Sequence, residues 1–160
     1  MKTVYIETSV ISYLTAHLSR DLLTTAHQQI TREWWDKHRL RFELFISLLV
    51  EEEAKRGDRE AASRRVGVIA DLPRLEIVEE AYALAKDLIA AGALPPSAQD
   101  DAAHIALAAV HNMDYLLTWN CRHIDNAENK PLVRSVCAAH GYTCPEICTP
   151  EELMGGVQYE

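Results

Sequence analysis

Short apolar runs alternate with amphipathic stretches along the chain, and each change of period marks an expected element. Residues 4–6, led by Thr3, form an apolar strand that stops at Glu7-Thr8-Ser9. Residues 9–17 predict a helix with Thr8 or Ser9 as its N-cap. Residues 20–39 predict a long helix, with Leu22, Leu23, Ala26 and Ile30 at helical spacing. Of Trp34 and Trp35 near its end, one is expected in the core and the other at its margin. Residues 42–47 read as a second strand, and residues 47–56 as a helix stopped by Gly57 and Asp58. A helix follows over about 59–71 and ends near Pro73. Residues 75–78 read as a third strand and residues 79–91 as a helix before Gly92. From Pro96 a helix opens with the adjacent acids Asp100 and Asp101, and a strand at 115–118 leads to Asn120. Residues 130–140 predict a helix closed by Gly141, residues 146–149 a last strand, and Thr149-Pro-Glu-Glu a capped turn.

Strand and helix alternate about five times, which predicts an α/β fold. The expected architecture is a three-layer α/β/α sandwich around a parallel sheet of four to five strands, in a single domain over 1–160. In such a sheet the site lies beyond the C-terminal ends of the strands. Glu7, Asn120 and the helix after Ser47 all fall at that edge.

Composition narrows the picture. A chain of 160 residues with 48% apolar content buries a full core, roughly 70% of its unfolded surface. No apolar run approaches the ~20 residues that span a bilayer. The first residues lack the character of a signal peptide, and four cysteines without one predict reduced thiols in a cytoplasm. A net charge of −8 opposes duplex binding by a broad basic face. Basic residues nevertheless cluster at Lys55, Arg56, Arg59, Arg64 and Arg65, and at Lys37, His38, Arg39 and Arg41. Each cluster reads either as a solvated helix face or as a rim for a phosphate backbone or an acidic partner segment.

Acids gather at the predicted edge: Glu7 after the first strand, Glu51, Glu52 and Glu53 after the second, and Asp100 and Asp101 before the fourth. Converging carboxylates without a basic partner repel one another, and a hard divalent cation such as Mg²⁺ resolves the conflict. Two such ions ~3.5–4 Å apart can clamp both oxygens of a phosphodiester displacement. Each acid also has an ordinary structural use. Ser97-x-x-Asp100 has capping spacing, which assigns Asp100 to the helix start and turns Asp101 toward the face of His104 and Ile105.

Three segments together carry a resemblance. They are Val4-Tyr-Ile-Glu-Thr-Ser-Val-Ile, then Ile46-Ser-Leu-Leu-Val-Glu-Glu-Glu-Ala-Lys-Arg-Gly, then Asp101-Ala-Ala-His-Ile-Ala with Tyr115-Leu-Leu-Thr-Trp-Asn. In this order the chain resembles the PIN-domain ribonucleases, in particular the VapC-type toxins of toxin–antitoxin pairs. The resemblance implies that Glu7, Glu53 and Asp101 match the first three acids and ligate Mg²⁺ or Mn²⁺, and that Asn120 matches the fourth position. It also implies metal-dependent cleavage of single-stranded RNA, a small antitoxin partner that covers the site, and a homodimer. Two departures stand out: Glu7 replaces the commoner Asp, and Asn120 is neutral, which favours one bound ion over two.

Thr118, Glu52, Asp100 and His123 are auxiliary candidates, Thr118 through a hydroxyl that either binds a ligand or serves the turn, and His123 through phosphate contact or proton transfer. Arg122 is a candidate phosphate contact. His104, on an Ala-rich helix, reads as a packing or hydrogen-bonding residue. Cys137, His140, Cys144 and Cys148 are zinc-type ligands without paired C-x-x-C spacing, and small buried thiols are the favoured reading. A second function fits the same residues: a weakened PIN domain that binds RNA or an antitoxin without cutting. A phosphotransferase is disfavoured, since its Asp-x-Asp segment is absent after the first strand.

Overall fold

A computed structural model describes residues 1–155; residues 156–160 of the expected domain lie outside the described residues. Five strands form one parallel sheet: β1 (Lys2–Ile6), β2 (Phe42–Ser47), β3 (Arg74–Leu75), β4 (Tyr115–Leu117) and β5 (Glu146–Cys148). Their order is β3-β2-β1-β4-β5, with Val4 opposite both Leu44 and Tyr115, and Leu116 opposite Ile147. Seven α-helices complete the fold: α1 (Thr8–Thr15), α2 (Leu22–Lys37), α3 (Leu48–Ala54), α4 (Arg59–Ile69), α5 (Glu79–Ala90), α6 (Gln99–Val110) and α7 (Lys130–Ala139). They divide into two packed groups, α1 with α2, α3 and α4, and α5 with α6 and α7, which cover the faces of the sheet. The result is the expected α/β/α arrangement.

Burial explains the sheet. Val4, Tyr5 and Ile6 of the central strand are fully buried, as a parallel strand covered on both faces requires. From β1 the chain winds to β2 and β3 on one side, then returns to β4 and β5 on the other. The order therefore reverses between β1 and β4, and a crevice opens at their C-terminal ends. Ile6 pairs with Leu117 there, and the Glu7 N–H donates to the Leu117 carbonyl at 3.0 Å. Glu7 and Thr118 are thus fixed side by side at the point where such folds bind ligands.

Several local expectations change. The long helix begins at Leu22 with Asp21 as its N-cap, and Leu22 and Leu23 are exposed instead of facing the core. Its buried face carries Gln28, Thr31 and Trp34. Gln28 is buried because it closes the preceding loop, donating to the His17 carbonyl at 3.0 Å and accepting the Ser19 N–H at 2.9 Å. Trp34 is in the core and Trp35 at its margin beneath the Arg39 guanidinium, 5.0 Å from its ring centroid. The third strand pairs only at residues 74–75, opposite Ile46 and Ser47, and Ile77 beyond it is exposed. Glu7, not Thr8 or Ser9, caps α1. The Ser97-x-x-Asp100 cap does not form: α6 starts after Ala98 with no side-chain cap, so Asp100 loses its expected task. Thr149 and Glu152 do form the expected capping pair, with the Thr149 N–H donating to Glu152 at 3.0 Å.

Candidate active site

Glu7 is the most deeply placed acid, 5% exposed. Its Oε1 accepts the Ser9 hydroxyl at 2.5 Å and the Thr118 hydroxyl at 2.6 Å, and its Oε2 accepts the Ser9 N–H at 3.1 Å. As an N-cap it also meets the positive end of α1. These donors satisfy a buried carboxylate without any ion pair. Thr118 is itself fully buried, and its oxygen also accepts the Asn120 N–H at 2.9 Å. Its hydroxyl holds Glu7 and the turn to Asn120, which is the turn role expected for it.

Glu53 reaches the same edge from α3. Its Oε1 accepts the Thr8 hydroxyl at 2.7 Å and pairs with His104 Nε2 at 2.5 Å. Among the described residues its Oε2 has no hydrogen-bond partner. Asp101, in the first turn of α6, uses Oδ2 for His123 Nδ1 at 3.0 Å and, among the described residues, leaves Oδ1 without a hydrogen-bond partner. Asn120 turns its Oδ1 to the His123 N–H at 3.0 Å, so the neutral fourth residue holds the histidine that holds Asp101. An open cleft of about 490 Å³ lies here, lined by Glu53, residues 96–99, Asp100 and Asp101.

The acids are thus gathered but not equally. Glu53 and Asp101 share the cleft, while Glu7 stands beside it and is absent from its lining. Among the described residues, no three His, Cys, Asp or Glu side chains close on a single point as a preformed metal cage. Glu52 is exposed and outside the cleft lining; Glu51 pairs with Arg74 at 3.1 Å and Lys55 at 3.5 Å. Asp100 lines the mouth and faces Arg56 at 3.7 Å. The basic cluster divides likewise. Arg64 and Arg65 donate to the Thr15 and Ala54 carbonyls, each at 3.0 Å, and so brace helix ends. Arg56 lies outside the cleft lining and reaches the cleft residue Asp100.

His104 has the packing and hydrogen-bonding role that its place on an Ala-rich helix predicts. It is fully buried, one turn after Asp101, and both ring nitrogens are bonded: Nε2 to Glu53, and Nδ1 to the Tyr5 hydroxyl at 2.6 Å. The Tyr5 hydroxyl continues to Ser47 Oγ at 2.8 Å. Burial pushes the His104 pKa down, but the Glu53 hydrogen bond and the charges of Glu7, Glu53 and Asp101 outweigh it, and the net shift is upward. Burial pushes Glu53 the other way; the bonds and charge of His104, the Thr8 hydroxyl and the Arg56 charge prevail and lower it. All three acids therefore act on one imidazole. The available signal was an imidazole amid Ala and Ile on a buried helix face, which must find polar partners.

Among the described residues, no three of the zinc-type side chains come together. His140 Nε2 pairs with Asp87 at 2.6 Å on α5, while Cys137 and Cys148 are buried, with the Cys148 thiol pushed up to about 12 by burial.

Comparisons with known proteins show the fold. A chain of the crystal structure described as VapBC2 from Rickettsia felis bound to a DNA fragment from their promoter superposes with a TM-score of 0.57. The match covers 92% of this chain and 98% of that one at 11% identity. No family model matches the sequence, and no curated protein does. The chain has a PIN-like α/β/α fold.

Proposed function

We propose that this protein is a metal-dependent endoribonuclease, the toxin of a toxin–antitoxin pair, working in a cytoplasm. One observation carries the reading: at the crevice where the strand order reverses, Glu53 and Asp101 share a cleft, and each has one oxygen held by the protein and the other free. An all-oxygen donor set of this charge fits Mg²⁺ or Mn²⁺, which retain waters and take the rest of their shell from a substrate phosphate. Glu53, Asp101 and Glu7 are the residues that would hold the ion. The bound ion supplies electrostatic stabilisation at the phosphodiester and an activated water.

The chain's own groups prepare that chemistry. Ser9 and Thr118 fix Glu7, Thr8 and His104 fix Glu53, and Asn120 orients His123 against Asp101. Arg56 at the cleft mouth supplies the contact for an RNA phosphate, which would displace its exposed partner Asp100. Two surfaces suit partners. An apolar groove of about 460 Å³, lined by Ile77, Tyr82, Ala85, Ile89, Ala103 and Leu107 among others, suits a second copy in a homodimer. The exposed Leu18, Leu22 and Leu23 suit an apolar antitoxin segment. No helix among the described residues is long and apolar enough to cross a membrane.

The second reading is an RNA- or antitoxin-binding module without cleavage. The neutral Asn120 and the absence of a preformed cage among the described residues favour it. Incubating a fluorescent single-stranded RNA with the protein in Mn²⁺ or EDTA decides between them. Mn²⁺-dependent shortening of the RNA supports the nuclease. Binding without cleavage at every Mn²⁺ concentration favours the module.

A further inference from the structure

The buried chain Ser47–Tyr5–His104–Glu53–Thr8 joins the three segments that carry the acids. Tyr5 precedes Glu7 by two residues on β1, Ser47 is the N-cap of the helix that carries Glu53, and His104 follows Asp101 by three residues on α6. We propose that His104 is a positioning residue that sets the Glu53 carboxylate for a divalent cation. The inference rests on the metal-site reading above and adds to it a residue that touches neither metal nor substrate.

The hydrogen bonds are continuous from Ser47 to Glu53. Ser47 Oγ accepts the Val50 N–H at 3.3 Å and bonds the Tyr5 hydroxyl at 2.8 Å, and that hydroxyl bonds His104 Nδ1 at 2.6 Å. Whether the imidazole is neutral or charged, Nε2 carries the proton that is donated to the Glu53 carboxylate Oε1 at 2.5 Å. Thr8 donates to the same Oε1. Both donors therefore fall on one oxygen and leave Oε2 without a protein partner at the cleft that Glu53 lines.

Packing alone does not account for this arrangement. An imidazole in an Ala-rich, fully buried helix face is costly to desolvate, and an aliphatic side chain would fill the space without that cost. Partners that orient a metal-binding carboxylate, by contrast, control metal affinity through its direction and basicity.

The test is Mn²⁺ affinity, read by titration calorimetry and by the loss of the free-ion electron paramagnetic resonance signal, without RNA. The variants are His104→Phe, His104→Gln and Thr8→Val, each checked for folding by circular dichroism. His104→Phe is expected to weaken Mn²⁺ binding about 10–100-fold. His104→Gln, which keeps an N–H within reach of Glu53, is expected to retain most of the affinity. Thr8→Val removes only one donor from Oε1 at a half-buried position and is expected to fall between. Wild-type affinity in a folded His104→Phe, or equal loss in the Gln and Phe variants, overturns the proposal. Should His104→Phe fail to fold, wild-type affinity in Thr8→Val overturns it. Absence of Mn²⁺ binding by the unmodified protein overturns the metal-site reading, and this inference with it.

Discussion

Replacing Thr118 by Val tests how Glu7 is held. The side chains are nearly isosteric, so no cavity opens, and the change isolates the hydroxyl. That hydroxyl donates to Glu7 Oε1 at 2.6 Å and accepts the Asn120 N–H at 2.9 Å, in a residue with no solvent exposure. A hydrogen bond to a charged group contributes about 1.5–3 kcal/mol, and a donor left unpaired in a buried place costs about 1–3 kcal/mol. Water can reach Asn120, which is half-buried, so the second amount lies at its lower end. The expected loss is about 2–4 kcal/mol, a large part of the 5–15 kcal/mol that keeps a domain folded. Urea unfolding followed by circular dichroism measures it. With a slope of about 2 kcal/mol per molar, the midpoint falls by about 1–2 M. Thr118→Ser keeps the hydroxyl and is expected to lose only about 1 kcal/mol for a buried methyl. A midpoint unchanged in Thr118→Val, or equal losses in both variants, would refute the claim that this hydroxyl anchors Glu7.

Two other perturbations probe the frame. Trp34 is fully buried and its Nε1–H donates to the Leu153 carbonyl at 3.1 Å, a carbonyl that Arg41 also contacts at 3.1 Å. Trp34→Phe is therefore expected to cost about 1–2 kcal/mol and lower Tm by about 3–8 °C in a thermal melt, and an unchanged Tm counts against this staple. Asp114 accepts the Thr3 N–H at 2.9 Å and the Thr3 hydroxyl at 3.2 Å and faces Lys2 at 3.8 Å, contacts that hold its pKa below the usual 3.8. A depressed carboxyl pKa stabilises the fold above the unfolded value, and the gain is lost as pH falls through the depressed one. Asp114→Asn should thus melt below the unmodified protein at neutral pH, with the gap closing as pH falls below the unfolded carboxyl value and through the depressed one; a gap independent of pH contradicts the assignment.

The fold was legible because its cause is local. Fully buried parallel strands must be apolar runs, and Val4 to Ile6 and Leu116 to Leu117 are such runs between helical periods. The long helix was read less well, because its buried face is made of Gln28 and Thr31 beside Trp34, whose partners are distant in sequence. The expected third strand starts one residue late and runs three residues too far, because only two residues pair and no alternation develops. At the site, acids at strand ends pointed to Glu7, Glu53 and Asp101. What stayed hidden was the division of labour. Asp100 has the spacing of a helix cap and instead meets Arg56, and nothing in the sequence ties the Thr118 hydroxyl to Glu7. His104 depended on Tyr5 and Ser47, 99 residues away in the case of Tyr5, a contact that no periodicity announces.

The central claim is that the carboxylates at the crevice serve a cation that cleaves RNA. The direct measurement is the rate of cleavage of a labelled single-stranded RNA in Mn²⁺ by the unmodified protein and by Asp101→Asn, whose amide keeps the size of the side chain. The account predicts Mn²⁺-dependent cleavage that falls at least about 100-fold in Asp101→Asn while the fold is kept. Equal cleavage by the two proteins would contradict it and place the chemistry elsewhere.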